Sequence, residues 1–282
     1  MTPVTSGMKR LSIMLLFLLL LPAAAAQAKK TYYVSLGDSL GAGYQKTADG
    51  TVDFRPGYTA AVFKAAKKKN PKIKLKNFSC PGEDTTTFIG TCPDSGHASK
   101  PSQFAKAAKF LGTHKVKYVT VSLGANNFTP CAKDGGVDIT CVGEGKKRLD
   151  KELPKRFKAI RKAAGKNVRI AALSLYNPYV SFYLSPTNYS LAQVSDTLAK
   201  AINTTIKDAA DGAGMVLADG YGAFDSGNFA MTGTYNGQSV PQNVENVCTF
   251  TQQCLAAPQG NIHPTDPGYA LLGKAFKKVL GL

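Results

Sequence analysis

Short apolar runs alternate along this chain with longer segments that have the periodicity of amphipathic helices. The strand-like runs cover residues 32–36, 72–78, 118–123, 168–173 and 215–218. The helix-like segments cover residues 57–69, 101–112, 144–164, 191–210 and 266–279. This alternation predicts an α/β fold, in which a parallel sheet is covered by helices on both faces.

The loops that follow the strands are the places to look for a functional site, because active sites of such sheets lie at the carboxyl ends of the strands. One connecting segment is unusually long. Residues 219–260 are rich in Gly, Asn, Gln and Ser, and we expect them to form an irregular but ordered cover.

The N-terminus has the organisation of a secretory signal peptide. Lys9 and Arg10 precede an apolar stretch over residues 11–22, and an Ala-rich cleavage region follows at residues 23–28. The apolar stretch is too short for a comfortable membrane span, so an uncleaved anchor is the less favoured alternative. We predict that residues 1–28 are removed after Ala28, and that residues 29–282 form a single exported domain.

Six cysteines follow one another in three close pairs. An even number in an exported protein indicates disulfides, and sequential pairing is the simplest of the fifteen connectivities that six cysteines allow. The Cys-x-x-Cys spacing of zinc sites is absent. The expected bridges are Cys80–Cys92, Cys131–Cys141 and Cys248–Cys254.

The chain is strongly basic, with 35 Lys and Arg residues against 18 Asp and Glu and a formal charge of +17. Such a balance indicates attraction to anionic surfaces, such as cell-wall polymers or acidic lipid headgroups. The lysines are not interleaved with aromatic residues as in nucleic-acid modules. We therefore expect contact with an anionic wall or membrane surface, no nucleic acid, and a monomer.

Four loops carry the side chains and amides from which an acyl-transfer site is made. A hydroxyl follows the first strand at Ser39, and Gly82 lies in the loop after the second. The carboxamide of Asn126 follows the third strand, and the imidazole of His263 precedes the last helix. Together they provide a nucleophile, donors for an oxyanion and a base.

In these motifs the chain resembles the GDSL, or SGNH, hydrolase superfamily, and within it the secreted actinobacterial lipases and esterases. The matching residues are Gly37-Asp38-Ser39-Leu40, the Gly82 loop, Gly124-Ala125-Asn126-Asn127 and His263-Pro264. The resemblance implies a flavodoxin-like three-layer α/β/α fold with a five-stranded parallel sheet. It also implies a serine mechanism that needs no cofactor, and no residue of the four loops is assigned to a metal.

The resemblance assigns a role to each of the four residues. Ser39 would attack the ester carbonyl while His263 accepts its proton. The backbone N–H groups of Ser39 and Gly82 and the side-chain amide of Asn126 would form the oxyanion hole. An ordinary turn at the end of the third strand, with Asn127 as the structural partner, is the alternative interpretation of Asn126 and Asn127.

One position departs from the family pattern. Members usually carry an aspartate three residues before the histidine, and Gly260 occupies that position here. We expect a Ser–His dyad in which a backbone carbonyl near Gly260 accepts the imidazole N–H, with the Asn261 side chain as a less favoured substitute. Asp266 is expected to cap the last helix.

The expected function is that of a secreted carboxylester hydrolase that acts on lipid or short acyl esters. The aromatic residues Tyr176, Tyr179, Phe182 and Tyr183 either line its acyl pocket or belong to the core. A carbohydrate esterase that removes acetyl groups is an alternative, because the same four residues serve it. A non-catalytic wall-binding protein is less favoured, since all four residue types of the site are retained.

Overall fold

The computed structural model of the protein describes residues 1–3, 30–94, 101–133, 136–256 and 260–282. The predicted signal peptide falls almost entirely on residues outside these ranges. Within the described ranges, no helix combines the length and the apolar character that crossing a membrane requires.

The five parallel strands of the central sheet lie in the spatial order Lys74–Asn77, Thr31–Gly37, Lys115–Ser122, Arg169–Leu173 and Val216–Ala218, which is the 2-1-3-4-5 order of flavodoxin-like sheets. The other strands form two-stranded antiparallel hairpins. The strands of the described residues are β1 Thr31–Gly37, β2 Tyr44–Lys46, β3 Val52–Phe54, β4 Lys74–Asn77, β5 Lys115–Ser122, β6 Ala132–Lys133, β7 Gly136–Val137, β8 Arg169–Leu173, β9 Val216–Ala218, β10 Gly233–Tyr235 and β11 Gln238–Val240.

The helices cover both faces of this sheet or connect its edges, and the five longest coincide closely with the helices that the sequence predicts. The α-helices of the described residues are α1 Ser39–Ala42, α2 Gly57–Lys69, α3 Gln103–Thr113, α4 Ile139–Ala164, α5 Tyr189–Asp211, α6 Gly220–Ala223, α7 Gln242–Phe250 and α8 Asp266–Leu280.

Alternation along the strands divides the core into two layers. On β1, Val34 and Leu36 face a cluster that α3, α4 and α5 complete, whereas Tyr33 faces a cluster completed by α2 and α8. All three side chains are fully buried. The two faces therefore make the α/β/α sandwich that the family resemblance predicts, and the fold prediction is confirmed.

The expectation of an irregular segment over residues 219–260 is wrong for its described part, residues 219–256 and 260. The segment contains α6, the β10–β11 hairpin and α7. Its order has an apolar cause, because Val240, Val244 and Val247 pack with Val180 in a third hydrophobic cluster. These valines are few and lie among polar residues, so the sequence pattern alone does not reveal the elements that contain them.

The three disulfides join the cysteines in sequential order, at Cys80–Cys92, Cys131–Cys141 and Cys248–Cys254. Each closes a local loop, with sequence separations of 12, 10 and 6 residues. The first encloses Gly82, and the third joins α7 to the segment that leads from that helix to His263.

Candidate active site

Ser39 is the first residue of the short helix α1, immediately beyond the carboxyl end of β1. The turn depends on Gly37, which has φ +120°, and a Cβ at that position would lie 1.8 Å from the carbonyl oxygen of Ser122. The Asp38 side chain caps α1 by accepting a hydrogen bond from Leu40 N at 3.0 Å. The turn thus presents Ser39 at the edge of the sheet, and only 8% of the residue is exposed.

His263 lies 224 residues further along the chain, yet its ring reaches the serine directly. Its Nε2 is 2.8 Å from Ser39 Oγ. The ring packs against Tyr44 with 4.4 Å between the ring centroids. Tyr176 holds the loop by donating its hydroxyl to Ile262 O at 2.5 Å. The predicted nucleophile and base are therefore in hydrogen-bonding contact.

The partner of the histidine is the Asn261 side chain, so the expectation of a backbone carbonyl near Gly260 is wrong. Asn261 Oδ1 lies 2.6 Å from His263 Nδ1 and also accepts the backbone N–H of His263 at 3.2 Å. An amide oxygen is a hydrogen-bond acceptor only. The ring must therefore carry its proton on Nδ1, which leaves Nε2 free to accept the proton of Ser39.

The orientation of Asn261 is fixed from outside the loop, by Gln252. The side chain of Gln252 exchanges two hydrogen bonds with the backbone of Lys46, accepting from its N at 3.0 Å and donating to its O at 2.6 Å. Because backbone N–H only donates, Gln252 Oε1 is assigned unambiguously, and it accepts from Asn261 Nδ2 at 2.7 Å. Asn261 Oδ1 must then face His263. Nothing in the sequence pattern marks Gln252 for this role.

Burial lowers the pKa of His263 to about 4, and the nearby charge of Lys46 acts in the same direction. The ring is therefore neutral at neutral pH, as a general base must be before it takes a proton. A carboxylate in the position of Asn261 would oppose this shift. The amide does not.

Asp266 does not cap α8, contrary to expectation. The cap is Thr265, whose side chain accepts from Gly268 N, and Asp266 is the first residue of the helix. Its Oδ1 accepts a hydrogen bond from Gln45 Nε2 at 3.0 Å, and the same amide donates to Pro264 O. Asp266 thereby ties β2 to the loop of His263.

Gly82 and Asn126 lie in adjoining loops. Asn126 Nδ2 donates to Glu83 O at 3.0 Å, next to Gly82 in the chain. Gly82 has φ +77°, a backbone conformation that favours glycine. Asn127, which follows Asn126 in the chain, is fully buried. Its amide forms hydrogen bonds with the N and the Oγ1 of Thr85, so its structural role is confirmed.

Gln103, a residue that sequence reasoning missed, joins the serine turn to the Gly82 loop. Its Oε1 accepts from Gly37 N at 2.7 Å, and its Nε2 donates to Gly37 O at 2.8 Å and to Glu83 Oε2 at 2.7 Å. The side chain is buried at the start of α3. It therefore joins Gly37, two residues before Ser39, to Glu83, the residue after Gly82.

Asp38 is buried beneath the serine. Its Oδ1 accepts from Ser122 Oγ at 2.9 Å, whereas its Oδ2 has no hydrogen-bond partner among the described residues. Burial raises the pKa of Asp38 to about 7, against the opposing effect of these hydrogen bonds.

An apolar cavity of about 130 Å³ opens beside Ser39, Asn126 and His263, which all contribute to its wall. Gly82 is not among its lining residues. Helix α5 supplies Leu191, Val194, Leu198 and Ile202, whose spacing puts them on one helix face. Of the aromatic residues expected here, Tyr176 and Tyr179 line the cavity, but Phe182 and Tyr183 do not.

Among the described residues, one group of side chains has the spacing of metal ligands, namely Cys80, Glu83 and Cys92. Both sulfur atoms belong to a disulfide, so a single carboxylate would remain for the ion. This group does not fit a metal site.

Comparison with known families gives one match over most of the chain. The family described as GDSL-like Lipase/Acylhydrolase matches residues 35–271. No curated protein sequence matches significantly.

Solved structures share the fold at low sequence identity. An extracellular lipase from Streptomyces rimosus is 16% identical with a TM-score of 0.57, over 89% of this chain and 98% of that one. A phospholipase A1 from Streptomyces albidoflavus NA297 is 18% identical with a TM-score of 0.51, over 90% and 99%. The lipase Lip_vut3 from a goat rumen metagenome is 17% identical with a TM-score of 0.54, over 88% and 97%.

Proposed function

The chain belongs to the GDSL-like lipase/acylhydrolase family, as its motifs predict, and is an ester hydrolase; from this we propose that it cleaves fatty acyl esters through an acyl-enzyme on Ser39. The observation that carries the mechanism is the 2.8 Å contact between Ser39 Oγ and a neutral His263. Ser39 attacks the ester carbonyl as His263 Nε2 takes its proton, and the ring returns that proton to the leaving alcohol. Water then hydrolyses the acyl-enzyme by the same route.

The oxyanion of the tetrahedral intermediate is held by three donors in this proposal. They are the N–H of Ser39, at the start of α1, the N–H of Gly82 and the amide of Asn126. The contact of Asn126 with Glu83 O supports the arrangement, because it joins the second and third donors. Removal of one such donor typically costs about 3 to 4 kcal/mol of transition-state stabilisation.

The cavity favours fatty acyl groups over acetyl. An apolar cavity of about 150 Å³ accepts a benzene molecule, so one of about 130 Å³ holds roughly six carbon atoms. An acetyl group would leave most of it empty. Each buried methylene contributes about 0.8 kcal/mol, so hexanoyl esters should exceed acetyl esters in kcat/KM by about two orders of magnitude.

The test is a series of p-nitrophenyl esters from acetyl to dodecanoyl. Leu198→Trp fills the cavity and should lower kcat/KM for hexanoyl esters at least tenfold while acetyl esters change less than threefold. Ala201→Trp is the matched control, because Ala201 is an exposed residue of the same helix and does not line the cavity. An acetyl optimum in the unmodified protein would favour the carbohydrate acetylesterase instead. Activity at every chain length that survives Ser39→Ala would contradict the proposed mechanism.

Export of the protein is part of the proposal. The basic head and Ala-rich cleavage region of residues 1–28 support it, and three disulfides suit an oxidising compartment. Expression of the whole chain in a bacterial host should release a protein into the medium or periplasm. Mass spectrometry of its N-terminal peptide should give Lys29 as the first residue, and retention of residues 1–28 in the cytoplasm would contradict export.

A further inference from the structure

Nearly all the excess positive charge belongs to two segments of the chain. Residues 55–82 and 95–133 contain 14 Lys and Arg residues and neither Asp nor Glu. The rest of the chain has 21 basic and 18 acidic residues, which almost balance. A surface formed by these two segments therefore contains no carboxylate side chain of its own to balance the positive charge.

The structure brings four lysines of these segments together with Lys30 in one groove at the amino ends of β1, β4 and β5. Its basic residues are exposed and include His114; the lysines are Lys30, Lys67, Lys72, Lys74 and Lys115. Tyr32, Phe63 and Ile73 contribute apolar surface between them. No acidic residue lines this basic groove among the described residues.

No acidic side chain of the described residues forms an ion pair with the lysines of the basic groove. The ion pairs within the described part of the chain use other cations. Lys67 instead lies over the ring of Phe63, at 5.4 Å from its centroid. Five ammonium groups without counter-ions repel one another, and an anion that bound between them would relieve that repulsion.

Ordinary structural roles account for only part of the cluster. Lys74 lies on the edge strand β4, where lysine discourages pairing with another sheet. Lys67 lies near the C-terminus of α2, where it complements the helix dipole. Neither role applies to Lys30 before β1, or to Lys72 in the loop before β4.

We propose that the basic groove binds a linear polyanion that carries phosphate groups. Lysine ammonium groups bind phosphate as point charges, without the planar geometry that arginine requires. The groove has a volume of about 1020 Å³, far more than a single inorganic anion would fill. A chain of phosphates could contact several lysines at once, and the released counter-ions would make its binding sensitive to salt.

The position of the groove favours a polymer over a bilayer. The seven residues of β1 separate it from the serine turn, which corresponds to roughly 20 Å along the strand. A membrane against the groove would therefore lie at the end of the sheet opposite Ser39, and its lipids could not reach the catalytic cavity. A polymer in the groove anchors the protein and leaves the cavity open.

The experiment measures binding of long-chain inorganic polyphosphate to the protein at about 0.15 M salt, where only close charges act strongly. One variant combines Lys67→Glu, Lys72→Glu and Lys74→Glu. The matched control combines Lys151→Glu, Lys155→Glu and Lys158→Glu, which makes the same change of charge at exposed lysines of α4. Circular dichroism and hydrolysis of a soluble ester show that both variants fold.

We expect the groove variant to bind polyphosphate at least tenfold more weakly and the control to remain within threefold of the unmodified protein. Equal weakening in the two variants would overturn the proposal, because net charge alone would then explain the binding. It would also be overturned by a protein that binds phosphatidylglycerol vesicles but not polyphosphate. Ester hydrolysis should be unchanged in both variants, so this result is independent of the proposed reaction.

Discussion

At the scale of single residues, the partner of His263 is an amide where a carboxylate is usual in the family. Asn261 Oδ1 fixes the tautomer of the ring as a carboxylate would. It supplies no negative charge, however, and so it does not stabilise the imidazolium that forms during proton transfer. The low pKa of His263, about 4, follows from desolvation of the ring and from the nearby charge of Lys46, which no carboxylate at position 261 opposes.

The pH dependence of kcat/KM should reflect the low pKa of His263. We predict that the acid limb of kcat/KM has its midpoint near the His263 pKa of about 4, because the ring is neutral and competent above it. Asn261→Asp should move the midpoint up by at least one unit, since a carboxylate favours the protonated ring. Asn261→Ala is the control for loss of orientation and should lower kcat about 10- to 100-fold without an upward shift. Identical acid limbs in the Asp variant and the unmodified protein would rule out this electrostatic explanation.

A second prediction at the scale of single residues concerns Asp38 and the pH dependence of folding stability. Its folded pKa of about 7 is above its ordinary value, so the folded protein holds a proton that the unfolded chain releases between about pH 4 and 7. Stability contributed by this proton is therefore lost as the pH rises through that window. Asp38→Asn should match the unmodified protein near pH 4 and be more stable at pH 8 by about 1 to 3 kcal/mol. Thermal melts across this range test it, and a difference independent of pH would refute the cause.

The sequence was sufficient to select Ser39 and His263 as a contacting pair, but not to identify what orients the ring. Gly260 was visible as a departure from the pattern, whereas the choice between a backbone carbonyl and the Asn261 side chain depends on torsion angles. It depends also on Gln252, whose partner Lys46 is 206 residues away. Such a contact exists only once the chain has folded.

At the scale of elements, α3 holds the serine turn against the Gly82 loop through its first residue. The three hydrogen bonds of Gln103 have lengths of 2.7 to 2.8 Å and are buried. We expect these bonds to act on catalysis by positioning other groups, because Gln103 does not line the cavity.

We predict that Gln103→Ala lowers kcat about 10- to 100-fold while KM stays within threefold, because misplaced donors weaken the transition state more than the bound ester. Gln103→Glu should also be impaired, since a carboxylate cannot donate to Gly37 O or to Glu83. Lys109→Ala, at an exposed position of α3, should have no effect. A rise in KM with unchanged kcat would contradict a positioning role.

Elements with a regular apolar pattern could be predicted from the sequence, and mixed ones could not. The buried positions Leu149, Leu153, Phe157 and Ile160 of α4 recur at helical spacing and reveal the helix. In α7 the apolar residues are few, and the helix is stabilised by its packing in the third hydrophobic cluster. Tertiary contacts therefore decide the structure of α7.

At the scale of the whole molecule, the parallel sheet explains why four distant loops meet. Ser39 follows β1, Gly82 follows β4, Asn126 follows β5, and His263 enters from the segment before α8. Strand order alone predicts that the first three share one end of the sheet. The apolar cavity beside Ser39 could not be predicted in this way, because its volume depends on how α4 and α5 pack at that end.

The central claim, that Ser39 carries the acyl group, can be tested by trapping the intermediate. The protein is mixed with excess p-nitrophenyl hexanoate, quenched with acid within the first turnover and digested for mass spectrometry. We predict a hexanoyl group on the peptide that contains Ser39, a burst of about one p-nitrophenol per protein molecule if deacylation is slower than acylation, and neither signal in Ser39→Ala. An adduct on another residue, or hydrolysis that persists in Ser39→Ala, would contradict the account.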